Sequence, residues 1–64
     1  MEFKGNTIKI ESVKTLFVPI SAIRKIIHFR SNDDTIIYTD RGITHVLDDY
    51  AELAAELPDL CEEV

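Results

Sequence analysis

The sequence predicts an α+β domain: a small antiparallel β-meander of three to five strands, covered by one C-terminal amphipathic helix. Three observations carry this reading. Thr7–Glu11 (TIKIE) alternates polar and apolar residues, the period-two signature of a half-buried strand. Residues 35–47 read as strand, tight turn and strand. Tyr50, Leu53, Ala54 and Leu57 then recur at helical spacing, and Pro58 closes the run.

Lys4, Gly5 and Asn6 read as a turn ahead of the first strand. A second strand is expected at 15–18, ending at Pro19, which cannot donate to a ladder and favours a sheet edge. Ser21 is placed to cap one helical turn through Ala22, Ile23 and Arg24. Residues 25–30 (KIIHFR) return to strand character through β-branched and aromatic side chains. Ser31, Asn32, Asp33 and Asp34 form a turn, because such side chains bond their own backbone. A strand at 35–39 follows. Asp40-Arg41-Gly42 fits a three-residue hairpin loop with Gly42 at the left-handed bulge position. The hairpin ends at 43–47, and Asp48 or Asp49 caps the helix, with Glu52 at capping-box spacing from Asp49. The expected layout is one domain over 1–64: strands within 7–47, an acidic helix at 48–57 and a short acidic tail at 58–64.

A trial register sorts the side chains into two faces. Pairing Arg30 with Thr35, and Thr39 with Ile43, puts Ile27, Phe29, Ile36, Tyr38, Thr44 and Val46 together. The helix stripe of Tyr50, Leu53 and Leu57 is their expected cover. The opposite face carries Ile26, His28, Ile37, Ile43 and His45. It is expected to meet the N-terminal strands or a second copy of the chain, so a homodimer is expected there.

The chain has 64 residues, 45% of them apolar, and a net charge of −5. A domain of this size buries only about 60% of its unfolded surface and often needs a partner or a staple. Its single cysteine, Cys61, excludes an internal disulfide and fits a reducing, cytoplasmic setting. No stretch approaches the roughly 20 apolar residues of a membrane span, nor does the start resemble a signal peptide. The charge is uneven. Through Leu47 there are seven basic residues against five acids; from Asp48 onward there are seven acids and no base. That acidic segment repels phosphate backbones, which disfavours direct nucleic-acid binding, and would attract a basic protein surface.

Catalytic chemistry finds little support. In the trial register His28 and His45 share a face but are separated by the Ile37 strand, roughly 9–10 Å. That is too wide for two ligands each reaching zinc at ~2.1 Å, so half-exposed strand histidines are expected, open to a pH-responsive role. Glu62 and Glu63 beside Cys61 oppose thiolate formation. There is no glycine-rich phosphate loop. The aspartate pairs fall where turns and caps already call for them, and so short a chain leaves little room for a pocket. No catalytic residue, cofactor or metal is expected. Asp49, Glu52, Glu56 and Asp59 form one acidic helical stripe, which Glu62 and Glu63 extend as a candidate partner-binding surface.

The segments LFVPISAIRKI and NDDTIIYTDRGITHVLDDYAELAAEL, together spanning about residues 16–57, resemble two small β-rich families. One is the short bacterial flagellar FlbD-type proteins, with an apolar strand, an ISAI-like turn, a turn glycine and an acidic helix. The other is the opening half of LytTR-type DNA-binding domains. The second half of that domain and its basic DNA-contacting residues are missing here, so DNA binding does not carry over. The FlbD-type resemblance implies a small regulatory protein without catalytic residues. The expected function is therefore a non-enzymatic regulatory or interaction protein, bacterial or phage, that binds another macromolecule. The alternative is an acidic, nucleic-acid-mimicking inhibitor of a DNA- or RNA-binding protein.

Overall fold

Gly5 adopts φ +62°, a left-handed conformation that costs glycine nothing sterically. It turns the first residues back, and Lys4 pairs with Thr7 across a two-residue loop. A strand therefore precedes the one that alternation predicts. The computed structural model describes residues 2–64. Along it run β1 (Glu2–Lys4), β2 (Thr7–Glu11), β3 (Thr15–Pro19), a 3-10 turn (Ile20–Ala22) and β4 (Ile23–Phe29). Then come β5 (Asp34–Thr39), β6 (Gly42–Val46), α1 (Tyr50–Glu56) and β7 (Cys61–Glu63). The α+β class stands. The single meander does not, because the strands form two sheets, ordered β1-β2-β3 and β6-β5-β4-β7.

In the first sheet the period of two decides what is buried. Ile8 and Ile10 of β2 are fully buried, while Thr7, Lys9 and Glu11 between them are only half-buried. Their partners Val18 and Leu16 on β3 also turn inward, leaving Phe17 exposed. After Pro19, the Ile20 N–H donates to the Asn6 carbonyl at 2.7 Å. Sheet pairing thus satisfies the backbone where a hydroxyl cap was expected: Ser21 lies inside the 3-10 turn, and no side chain caps it.

The second sheet departs further. Its first strand starts two residues earlier than expected and carries a bulge: Ile23 pairs with Thr39, but Lys25 pairs with Tyr38. The extra residue lets Ile23 and Ile26, three apart, both reach the core. Asp33, at φ +54°, completes the turn to β5. The decisive difference is at the next hairpin. Thr39 pairs with Gly42, not Ile43, so the loop is only Asp40-Arg41. Gly42 has φ +127°, and the Thr39 hydroxyl accepts from Arg41 N–H at 3.1 Å within the turn. A slip of one residue sends every side chain of a strand to the other face. Thr44 and Val46 therefore lie with Ile37, whereas Ile43 and His45 lie with Tyr38 and Ile36.

Asp49 caps the helix, its carboxylate accepting from Ala51 N–H at 3.2 Å. The neighbouring Asp48 instead takes the Glu11 N–H at 2.8 Å, tying the end of β2 to this corner. At seven residues α1 is shorter than expected. It is not the last element either. A turn over Pro58–Leu60 delivers the expected tail as β7, parallel to β4, with Ile26 opposite Cys61 and His28 opposite Glu63. The core draws Ile8 and Ile10 from one sheet, Ile23, Ile26, Ile37 and Val46 from the other, and Leu53 from α1.

Ile26, His28 and Ile37 thus belong to the interior and not to a dimer face. On their side of the sheet Leu53 and Tyr50 of α1 pack, whereas Ile27, Phe29, Ile36 and Tyr38, expected beneath the helix, lie on the other side; of that expected face only Thr44 and Val46 turn inward. Among the described residues no helix is long and apolar enough to cross a membrane.

Candidate functional site

His28 is 8% exposed, a strand histidine drawn fully into the fold. Its ring stacks on Tyr50 of α1, with centroids 4.8 Å apart and planes 13° from parallel. Nδ1 lies 2.8 Å from the Thr35 hydroxyl, and Nε2 lies 3.2 Å from an Asp33 carboxylate oxygen. Glu63 of β7 stands 3.9 Å from the same nitrogen. A buried polar group is tolerated when it is bonded, and both ring nitrogens have partners. Thr35 is itself buried, so no substrate could reach that hydroxyl beside the imidazole. The cluster joins β4, β5, α1 and β7.

His45 is exposed and lies on the other side of the sheet, with Nδ1 3.1 Å from Asp34. The two histidines therefore do not share a face, contrary to the trial register, because the one-residue slip carried His45 across. No group of three or more metal-ligating side chains occurs among the described residues.

The six acids expected to form a partner-binding surface, four of them as a helical stripe, are dispersed. Asp49 is occupied as the helix cap, Glu52 and Glu56 are exposed on α1, and Asp59 lies in the turn after it. Glu63 faces His28. Glu62 points to the opposite side of the sheet, where it pairs with Lys25 at 3.2 Å. A strand cannot continue a helical stripe, since its side chains alternate between faces. No continuous track of the six exists.

Cys61 is half-buried against the core, and burial pushes its thiol up. That favours the inert protonated form. A cavity of about 500 Å³ opens between β3 and the β5–β6 turn, its lining including Leu16, Val18, Ser21, Asp40 and Arg41. Little room for a pocket was expected; this half-open concavity has a volume within the range of ligand sites. Its lining holds one carboxylate and one guanidinium but no histidine or cysteine.

The most distinctive surface is the outer face of the four-stranded sheet. Register places Ile27 and Phe29 of β4, Ile36 and Tyr38 of β5, and Ile43 of β6 side by side there. None of them belongs to the core cluster or packs against it, but Ile36 is buried and Ile27, Phe29 and Tyr38 are half-buried. Ile43 is 57% exposed. Val64, continuing β7 by donating to the His28 carbonyl at 2.9 Å, is 52% exposed, and Leu47, just after β6, is 79% exposed. The charges on this face are paired across strands: Lys25 with Glu62 near one corner, and Asp34 with His45 near the diagonally opposite one. An apolar centre bordered by polar groups already bonded to one another is what a protein-binding patch looks like. Expectation from sequence named Ile43 and His45 for such a face but gave them the wrong neighbours.

No protein-family model, curated protein or solved structure matches the chain.

Proposed function

We propose that this chain is a small non-enzymatic interaction protein that acts by binding another macromolecule. The observation carrying the reading is the outer sheet face, where the exposed Ile43 and the half-buried Ile27, Phe29 and Tyr38 lie beside the buried Ile36, outside the core cluster. Water contact with such a cluster costs roughly 25 cal/mol per Å² of apolar surface, a standing driving force for association. The internally bonded His28 and the protonated Cys61 offer no accessible nucleophile–base pair that would favour catalysis. The role accords with what the FlbD-type resemblance implies, a small regulatory protein.

The test is affinity capture from the native host, comparing the chain with Ile43→Asp. Ile43 is largely exposed, so the variant keeps the fold, which circular dichroism checks. Loss of the captured partner with Ile43→Asp is expected. Retention of it, together with loss on charge reversal of Glu52 and Glu56, would move the binding surface to the acidic helix.

A further inference from the structure

Hydrogen-bond parity fixes which way the β3 backbone faces. The Ile20 N–H donates to the Asn6 carbonyl at 2.7 Å, and these two positions continue the register that sets Thr7 opposite Pro19 and Ile8 opposite Val18. Bonded and non-bonded positions alternate along an antiparallel pair. The β3 residues bonded to β2 are therefore Leu16 and Val18. Thr15, Phe17 and Pro19 turn their main-chain groups the other way, to the side on which β3 has no neighbouring strand. Pro19 has no N–H to give, and it sits where the ladder to β2 needs none.

Four strands lie at sheet edges: β1, β3, β6 and β7. Of these, β1 and β7 are only three residues long. The chain after β2 lies against the end of β6: Leu47 N–H donates to the Glu11 carbonyl at 2.8 Å, and the Ser12 hydroxyl donates to the His45 carbonyl at 2.6 Å. The other five-residue edge is β3. What adjoins it is the cavity of about 500 Å³, whose lining includes Leu16, Phe17 and Val18. Outward main-chain groups and half-buried apolar side chains thus meet in one place.

We propose that the cavity beside β3 takes an extended peptide segment of a partner protein, added to the three-stranded sheet as a fourth strand. An extended backbone is the occupant because it repeats donors and acceptors at the spacing of Thr15 and Phe17. It would lie ~4.8 Å from β3, with side chains falling alternately on the two faces. Those beside Leu16 and Val18 would enter the cavity. Those on the opposite face would lie along Phe17, which is 67% exposed. The segment is therefore apolar at the positions facing the cavity. Asp40 and Arg41 on the far wall contribute one charge of each sign and select no net charge. The site shares no residue with the outer face of the four-stranded sheet and does not depend on that face binding a partner.

The probe is a capped peptide of about five alternating valine and threonine residues, the length of an ordinary strand. It is titrated into the full isotope-labelled chain to about 5 mM, which covers weak affinities. Saturable amide shifts at Thr15 and Phe17 are expected, with exchange at Phe17 slowed at least about tenfold. Phe17→Pro deletes the outward N–H while sparing the bonds to β2, and should weaken binding at least about tenfold by blocking the edge. Phe17→Ala keeps that N–H and should weaken binding less. An equal effect of the two variants overturns the proposal, because the ring and not the backbone then holds the peptide. The same peptide N-methylated at every residue makes the test on the unmodified chain, whether or not Phe17→Pro folds. It should not bind, and binding equal to that of the parent peptide overturns the proposal. So does the absence of saturable shifts, or shifts confined to the face around Ile43.

Discussion

At the residue scale, buried polar and titratable groups mark where this small core is most constrained. His28 is the clearest case. Its two nitrogens meet Thr35 and Asp33, and its ring meets Tyr50, so one imidazole orients a turn, a strand and the helix. Cys61 and Tyr50 carry a pH dependence of definite sign. Burial raises the thiol above its ordinary 9.0. Burial, and then the negative charges of Cys61, Glu63 and Glu62, raise the Tyr50 phenol above 10.0. Both groups hold their proton more tightly in the folded chain. Their contribution to stability is complete below the unfolded values and is lost as pH rises through the folded ones. Urea midpoints should stay level on this account up to about pH 9 and fall beyond it. Cys61→Ala should remove the earlier part of that fall, leaving the Tyr50 part at higher pH. A midpoint rising above pH 9 in the unmodified chain contradicts the assignment.

Among the elements, β7 is the one that periodicity could not reveal. Cys61–Glu63 is only three residues long, and two of them are glutamates, which are poor strand formers. Position compensates for propensity. Ile26 N–H donates to the Leu60 carbonyl at 2.8 Å, Val64 N–H to that of His28 and Arg30 N–H to that of Val64, both at 2.9 Å. Without β7, that side of β4 would be an open edge. Deleting residues 61–64 removes the two Val64 bonds, the rest of the β7 ladder and the half-buried Cys61, at about 1 kcal/mol net for each bond. A loss of about 2–4 kcal/mol is expected by urea denaturation, on that per-bond scale, together with faster amide exchange at Arg30, whose acceptor is the Val64 carbonyl. Unchanged exchange there would mean that the segment only lies along the surface. The β5–β6 hairpin teaches the complementary lesson. Gly42 was legible as the left-handed residue of the turn, but its pairing partner was not. A two-residue and a three-residue loop leave opposite faces inward, and the presence of Gly42 alone does not choose between them.

For the whole molecule, the two sheets and the helix depend on one another because neither sheet can close its core alone. Ile8 and Ile10 of one, Ile26 and Ile37 of the other, and Leu53 of α1 are all fully buried. Leu53→Ala should cost about 2–5 kcal/mol through lost transfer energy and a residual cavity. Against the roughly 3–10 kcal/mol that a domain of this length commands, that removes much of the stability. The expected result is one cooperative transition at a lower denaturant midpoint, with β2 and β5 amides losing protection together. Independent unfolding of the two sheets would show that Leu53 does not bridge them.

Much was determined by the sequence alone. Alternation at Thr7–Glu11, the turn residues after Arg30, the Asp49 cap and the α1 stripe each depend on neighbours within a few positions, so local chemistry suffices to place them. The separation of a mildly basic front from an acidic end was equally legible, as was the presence of two partly apolar faces on the central strands. Only the tertiary structure decided which face lies inside. Ile26, His28 and Ile37 on one side, and Ile27, Phe29, Ile36 and Tyr38 on the other, are similarly apolar, so composition cannot choose between them. The choice followed from the slip that turned Val46 inward, from the bulge that brought in Ile23, and from the pairing of β7 with β4. The slip and the bulge lie in hairpins of successive strands, and only the β7 pairing joins residues far apart in the chain; period-two patterns record neither a loop's length nor the side that a partner will cover.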